Sequence, residues 1–208
     1  MPDLKLSQSN LQNWWKDDGD RTLLLNYDLN ENSVVLDLGG YLGIWAEQII
    51  QRFNPNMYII EPVPSFYNAM SDKFLHNSKV RLLNIGIGTC ASKRFIYIND
   101  DSTSSNISNA NEQKIEAEFY DINVILEKFG LSSVDLLQMN IEGDEYDVLE
   151  HMISSGGVDK IENMHIQFHL GIDDDIQRRF NIQDALHKRG FKKNWEYPFV
   201  WESWSKIK

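Results

Sequence analysis

The amino-acid sequence predicts an α/β protein with a seven-stranded, mostly parallel sheet, an antiparallel last strand and helices on both faces. Short apolar segments rich in β-branched residues alternate with segments whose apolar residues recur every three or four positions. Residues 34–43 (VVLDLGGYLG) join one such strand to a helix through a glycine turn. Residues 191–196 and 199–204 predict a closing hairpin, which reverses the last strand.

The acidic composition restricts the classes of partner. The 208 residues suit one domain, and their formal net charge of −11 disfavours nucleic acids and anionic membranes, which bind to a basic face. The single cysteine, Cys90, leaves no internal disulfide and fits a reducing compartment. The N-terminus lacks an apolar leader, and no segment approaches the ~18 apolar residues of a membrane span. We therefore expect a cytoplasmic protein without nucleic-acid or membrane partners.

Residues 1–30 are expected to form a helical cover on this domain. The pattern predicts two helical segments within residues 7–27, interrupted near Gly19. Such a layer would cover the first strand or part of the ligand cleft. We expect Trp14 and Trp15 to serve packing rather than ligand binding.

The glycines after the first strand predict a place where the backbone approaches a ligand. Gly39, Gly40 and Gly43 follow Asp37 and precede an amphipathic helix. The spacing D-x-G-G-x-x-G differs from the G-x-G-x-x-G that brings backbone against a pyrophosphate. A carboxylate at Asp37 would repel a pyrophosphate and would suit a ligand with a positive or hydrogen-donating group. The alternative is an ordinary strand–turn–helix corner.

A second acidic residue ends the next predicted strand. Residues 57–60 (MYII) lead into Glu61, which lies 18 positions after Gly43, and Pro62 then starts a turn. An acid at this distance is where such folds hold ribose hydroxyls, because a carboxylate accepts hydrogen bonds from two neighbouring hydroxyls. We count Glu61 and Pro62 among the cofactor-binding residues. The alternative is that Glu61 is a glutamate in a surface loop.

The third predicted strand, residues 80–84, delivers an apolar and glycine-containing segment to the same edge of the sheet. Residues 85–88 read IGIG. Backbone groups and the side chain of Ile85, with Gly86 beside it, would sandwich an adenine there. An equally favoured alternative is that the glycines of residues 85–88 are ordinary turn residues without a ligand contact.

The middle of the chain predicts an inserted hairpin over residues 89–120. Residues 93–99 and 114–120 alternate apolar and polar side chains, as antiparallel strands do. Residues 100–113 (DDSTSSNISNANEQ) are rich in Ser, Asn and Asp. Because this loop would be attached next to the cleft, a lid and a simple hairpin excursion are equally favoured.

A fourth buried strand, residues 134–139, precedes another candidate segment. Asn140 and Glu142 follow it, and a helix is predicted to begin after Gly143. Acidic residues in the first turn of that helix interact favourably with the positive end of its dipole.

This region resembles the FkbM-type family of class I S-adenosylmethionine-dependent methyltransferases. Residues 135–152 (DLLQMNIEGDEYDVLEHM) are similar to the family signature K-I-D-x-E-G-x-E-x-x-V/L, and VVLDLGGYLG and IIEPVPSFYNAM match upstream in the same order. The resemblance covers roughly residues 20–170. It implies a Rossmann-like class I methyltransferase sheet, S-adenosylmethionine as cofactor, and O-methylation of a small-molecule hydroxyl, such as that of a sugar. The family's lysine and aspartate are here Gln138 and Asn140.

Methyl transfer to a hydroxyl needs a group that accepts the hydroxyl proton. The candidates at this edge are Glu142, our first choice, and His169, which follows the next predicted strand, with Asn140 orienting the acceptor. The alternative for Glu142 is that it caps the following helix. The alternative for His169 is that it is a hydrogen-bonded structural residue. Residues 173–175 (DDD) fit the first turn of a helix, so we expect no metal site.

Two other functions remain open from the sequence. The neutral Gln138 and Asn140 permit a catalytically silent binding module with the methyltransferase fold. A nicotinamide-dependent oxidoreductase is less favoured, because Asp37 and the glycine spacing disagree with a pyrophosphate site.

Overall fold

The computed structural model describes residues 2–99, 102–104 and 113–207 of the chain. Its helices are α1 (Pro2–Lys16), α2 (Gly19–Thr22), α3 (Ile44–Phe53), α4 (Pro64–Phe74), α5 (Ile122–Lys128), α6 (Glu145–Ser155) and α7 (Asp175–Lys188). Its strands are β1 (Val34–Leu38), β2 (Asn56–Ile60), β3 (Val80–Leu83), β4 (Gly86–Gly88), β5 (Ser92–Asn99), β6 (Ser102–Ser104), β7 (Gln113–Asp121), β8 (Leu136–Met139), β9 (Asn163–Ile166), β10 (Phe191–Tyr197) and β11 (Trp201–Lys206). No described helix has the length and apolar character that crossing a membrane requires.

The main sheet has seven strands in the order β10-β11-β9-β8-β1-β2-β3. Strand β1 pairs in parallel with β2 on one side and with β8 on the other. Strand β11 is antiparallel to both β9 and β10, because the chain reverses in the closing hairpin. The predicted fold class is confirmed. In sheets whose strand order reverses in this way, ligands bind in a crevice beyond the carboxyl ends of the strands at the reversal, which here are β1 and β8.

Helices cover both faces of this sheet, as predicted. Alternate residues of the central strands face opposite sides, so each face has its own core. Helices α3 and α4 pack on one face against β1 and β2, and helices α5, α6 and α7 pack on the other. On β1, Val35 belongs to the first core, whereas Leu36 and Leu38 belong to the second.

A second sheet of four strands, in the order β4-β7-β5-β6, lies where the sequence predicts the hairpin. Strands β5 and β7 are antiparallel, as expected. Gly86–Gly88, predicted as a turn or a ligand contact, is strand β4 and pairs with β7. Part of the predicted loop, Ser102–Ser104, forms strand β6, which pairs antiparallel with the end of β5. Residues 100, 101 and 105–112 lie outside the described part of the chain.

The N-terminal helices differ from the prediction in extent and place. The second helical segment ends at Thr22 instead of residue 27, since three consecutive leucines carry no helical period. Trp14 is buried against Trp195 and Tyr197, with ring centroids 5.7 and 5.2 Å away, so this segment packs against the closing hairpin. Trp15 is 64% exposed, and the packing role expected for it is wrong.

Candidate active site

The glycine turn after β1 contacts the end of β2 and the segment that follows β8. The N–H groups of Gly39 and Gly40 donate to Ile60 O of β2 at 2.9 and 3.2 Å. Gly39 has φ +87°, and a Cβ atom there would lie 1.9 Å from Asn140 O. Only glycine fits such a position, because other residues would clash with backbone and be strained.

The other two glycines of the turn are explained by packing. A Cβ atom on Gly40 would lie 2.3 Å from Ile59 Cγ2. Gly43 has φ +70°, and a Cβ atom there would lie 2.9 Å from the Phe74 ring. The turn therefore presses closely on β2 and α4, and the cofactor contacts of Gly40 and Gly43 stay predictions.

Asp37 stands at the carboxyl end of β1 and is 1% exposed. Its Oδ1 atom accepts a hydrogen bond from Gln138 Nε2 at 3.0 Å. Its buried Oδ2 atom has no hydrogen-bond partner among the described residues. Burial raises the pKa of Asp37 to about 7, with a smaller contribution from the nearby Glu61. This oxygen is thus an acceptor for which the described residues provide no donor.

Glu61 directly follows β2 and is bonded to the same glycine turn. It is 4% exposed. Its Oε2 atom accepts from Tyr41 N at 2.8 Å, and its Oε1 atom accepts from Val63 N at 2.9 Å. Burial raises the pKa of Glu61 to about 7, and the charge of Glu142 adds to the rise. Asp37 and Glu61 thus lie at the carboxyl ends of neighbouring strands, on either side of one glycine turn.

Three further residues are predicted to contact the cofactor. Pro62 follows Glu61, and Ile85 and Gly86 lie where the second sheet starts. Pro62 is half-buried, and its carbonyl accepts from Asn84 Nδ2 at 3.1 Å. Ile85 is half-buried and packs against the larger core. A Cβ atom on Gly86 would lie 2.3 Å from the Phe119 ring, so packing alone requires glycine at that position. The adenine contacts of Ile85 and Gly86 stay predictions.

The segment after β8 is a strained turn held by a buried carboxylate. Glu142 and Gly143 have φ values of 58° and 110°. Glu145 is fully buried and accepts hydrogen bonds from Ile141 N at 2.8 Å and Gly143 N at 2.9 Å. Asn140 N donates to Leu38 O at 3.0 Å, which joins the turn to β1. The Asn140 Oδ1 atom is buried without a partner among the described residues.

His169 lies three residues after β9 and faces this turn. Its Nδ1 atom is 2.9 Å from Glu145 Oε1, and its Nε2 atom is 3.5 Å from Glu142 Oε2. Burial lowers the pKa of His169, but the hydrogen bond to Glu145 and the charges of Glu145 and Glu142 outweigh it, so the pKa is raised. Burial raises the pKa of Glu142 as well.

The structure thus brings the predicted Asp37, Glu61, Asn140, Glu142 and His169 to one edge of the sheet. The predicted site does not include Glu145, which lies within the signature at residues 135–152 and binds the histidine and two backbone amides. Its position in the first turn of α6 was the available signal. Within residues 2–99, 102–104 and 113–207, no group of three His, Cys, Asp or Glu side chains is arranged to bind a metal ion.

Comparison with known proteins identifies a related family. The model of the methyltransferase FkbM domain matches residues 37–193. A search of curated proteins gives no significant match.

Solved structures share the fold. The methyltransferase FkbM from Methylobacillus flagellatus KT superposes with a TM-score of 0.57 and 14% identity over 88% of this chain and 45% of that one. The protein SMU.1697c from Streptococcus mutans, in complex with SAH, gives 0.55 and 12% over 88% and 94%. The 23S rRNA methyltransferase ErmE gives 0.52 and 8% over 91% and 68%. The chain therefore spans less than half the length of the first of these, and at such identities the likeness establishes the fold alone.

Proposed function

The chain belongs to the FkbM methyltransferase family, and on that premise we propose that it methylates a hydroxyl group of a small molecule, such as a sugar. Its cofactor is S-adenosylmethionine, which the family and the SAH bound in a protein of the same fold support. When bound, this cofactor supplies an electrophilic methyl group on a sulfonium sulfur. The observation that carries the proposal is the pair of buried carboxylates, Asp37 and Glu61, on either side of one glycine turn.

The donor and acceptor groups in the crevice fit this cofactor. Asp37 would bind its amino-acid end, because the free Oδ2 atom accepts from an ammonium group. Glu61 would bind the ribose, because a carboxylate accepts hydrogen bonds from two vicinal hydroxyls. The backbone of the glycine turn between them allows close approach. Both carboxyl groups have raised pKa values, which a cationic or hydrogen-donating ligand would reverse.

Glu142 and His169 would take up the proton that the acceptor hydroxyl loses. Their carboxylate and imidazole face each other across 3.5 Å. Because Glu145 binds the Nδ1 side of the imidazole, Nε2 is the nitrogen left to receive a proton. A general base acts best when its pKa lies near the working pH, and both residues have raised pKa values. The uncharged Asn140 would orient the acceptor through its buried amide oxygen.

The charges around the crevice favour a neutral or cationic acceptor. Glu142, Glu61 and Asp37 are all acidic, and the whole chain carries a formal charge of −11. A polyanion such as RNA would be repelled unless a basic face met its backbone. Proteins of the same fold include an rRNA methyltransferase, so RNA belongs among the acceptors tested.

Calorimetry with S-adenosylmethionine and S-adenosylhomocysteine tests the first half of the proposal. We expect both to bind, and absence of binding at high micromolar cofactor would refute it. NAD binding in place of both would favour the oxidoreductase alternative.

A screen with methyl-labelled cofactor over sugars, hydroxylated small molecules and rRNA fragments tests the second half. We expect label on a small-molecule hydroxyl, and the Glu142→Gln variant should lose it while the exposed-site control Glu127→Gln retains it. Transfer to rRNA alone would overturn the acceptor assignment. Cofactor binding without transfer to any acceptor would favour a catalytically silent binding module.

A further inference from the structure

Four polar side chains lie in one row across the main sheet. Asp37 of β1 pairs in register with Gln138 of β8, which pairs with His165 of β9, which pairs with Ser203 of β11. Residues paired in register face the same side of a sheet. All four are buried, with exposed fractions of 1%, 6%, 0% and 0%. Buried polar groups of this kind are stable only when hydrogen-bonded.

The hydrogen bonds along this row connect Asp37 to Tyr27, which precedes β1. Gln138 Nε2 donates to Asp37 Oδ1 at 3.0 Å, and Gln138 Oε1 lies 2.8 Å from His165 Nε2. His165 Nδ1 lies 3.0 Å from the hydroxyl of Tyr27, which lies 2.9 Å from Ser203 Oγ. The chain of contacts has no gap from Ser203 to Asp37.

Only one assignment of protons satisfies every contact when Asp37 is a carboxylate. A carboxylate accepts, so the Gln138 amide must donate to it, and the amide oxygen is left to accept from His165 Nε2–H. His165 is uncharged, since burial lowers its pKa to about 3, and its Nδ1 atom is therefore an acceptor. The Tyr27 hydroxyl donates to it, and Ser203 donates to Tyr27. Every donor points toward Asp37.

We propose that Tyr27, His165 and Gln138 are positioning residues that hold Asp37 as a hydrogen-bond acceptor and leave its Oδ2 atom free for the cofactor. By donating to His165 Nδ1, the Tyr27 hydroxyl stabilises the tautomer of His165 with the proton on Nε2. That tautomer directs the Gln138 amide group to Asp37. If every hydrogen bond in the row had the opposite direction, the Gln138 amide oxygen would face the Asp37 oxygen. Asp37 would then have to be protonated to donate to it. The inference rests on the proposed function, because its effect is on cofactor affinity.

Substitutions along the row test this through the affinity for S-adenosylhomocysteine at pH 7, measured by calorimetry. Gln138→Met removes the donor to Asp37 and keeps the volume, and we expect the Kd to rise at least tenfold. Tyr27→Phe removes the hydroxyl that donates to His165 Nδ1 at the other end of the row, so the Nε2–H tautomer loses one stabilising hydrogen bond. For this variant we expect a smaller rise, about threefold.

Two controls separate positioning from stability. Leu136→Val removes one methylene from the same face of β8, so it should lower the unfolding temperature without changing the Kd. Tyr58→Phe removes a tyrosine hydroxyl from the opposite face of β2 and should also leave the Kd unchanged. If Tyr27→Phe and Gln138→Met bind S-adenosylhomocysteine as tightly as the wild type, the inference is wrong.

Nitrogen NMR of the ligand-free wild type provides a test that depends on no variant and no cofactor. We expect the resonances of His165 at about pH 9, where Asp37 is a carboxylate, to show a protonated Nε2 and an unprotonated Nδ1. The opposite tautomer, or a cationic ring, would overturn the assignment. Should the wild type fail to bind S-adenosylhomocysteine, the proposed function falls, while the tautomer of His165 still decides the direction of the row.

Discussion

Glu145 Oε1 lies 2.9 Å from His169 Nδ1, and the same buried carboxylate accepts the backbone N–H groups of Ile141 and Gly143. One side chain therefore holds both the turn that carries Glu142 and the imidazole opposite it. As a result the Nε2 atom of His169 faces Glu142 and the crevice, and this arrangement leads to the first prediction.

Replacing His169 by asparagine should slow methyl transfer and leave cofactor binding intact. Loss of a general base typically costs about 10²- to 10⁴-fold in rate. We expect kcat for the acceptor found by the screen to fall within that range in His169→Asn, with the Kd for S-adenosylhomocysteine within about twofold of the wild type. The exposed His76→Asn is the matched control. A rate equal to that of the wild type would exclude His169 from proton transfer.

Glu61→Gln should weaken cofactor binding. The amide keeps the volume but has one acceptor oxygen, whereas the carboxylate serves Tyr41 N and Val63 N and would also serve the ribose. Hydrogen bonds to charged groups contribute about 1.5–3 kcal/mol, which corresponds to about a 10- to 150-fold increase in Kd. Calorimetry with S-adenosylhomocysteine measures it, with the exposed-site Glu127→Gln as control. Unchanged affinity would refute the assignment of Glu61 to the ribose.

Affinity for S-adenosylhomocysteine should rise with pH. The pKa values of Asp37 and Glu61 are both raised to about 7 by burial, so a large fraction of each is protonated at pH 6. The ligand requires both carboxylates as acceptors. Below its pKa, each group therefore changes the Kd by up to about tenfold per pH unit. We expect the Kd to fall between pH 6 and 8 and then to level off. A flat profile over this range would show that neither carboxyl must ionise for binding.

The ligand-free protein should show the opposite dependence in its stability. Because the folded-state pKa of Asp37 lies above its ordinary value, the folded chain binds more protons than the unfolded chain between about pH 4 and 7. The free energy of unfolding contributed by this group therefore falls as pH rises through that window. Asp37→Asn should make the pH dependence shallower in urea denaturation. An identical slope in both proteins would contradict the raised pKa.

Gly39→Ala should destabilise the protein far more than Gly130→Ala. Both glycines have positive φ values, +87° and +63°, so both substitutions carry backbone strain of about 1–2 kcal/mol. Only at Gly39 would the Cβ atom also meet backbone, 1.9 Å from Asn140 O, while nothing lies within 4 Å at Gly130. Urea denaturation of the two variants measures the difference. Equal losses of stability would mean that the turn moves away without cost.

Much of this fold could be predicted because it depends on local patterns. The glycine turn, the acid after β2 and the signature at residues 135–152 identified the family, which the domain match confirms. Alternating residues such as 93–99 predicted strands that the second sheet contains. The extent of α2 could not be predicted, since Leu23–Leu25 pack by tertiary contact and show no helical period.

The sequence by itself determined the α/β class, the strand–glycine–helix unit and the acids at Asp37 and Glu61, because these follow from hydrophobic period and chain spacing. Only the tertiary structure decided that Glu145 binds His169, and that Gln138, His165 and Tyr27 form one hydrogen-bonded row behind Asp37. Those contacts join residues 24 to 138 positions apart. They depend on the register between strands, and the pattern within any single strand carries no information about which residue its neighbour places beside it.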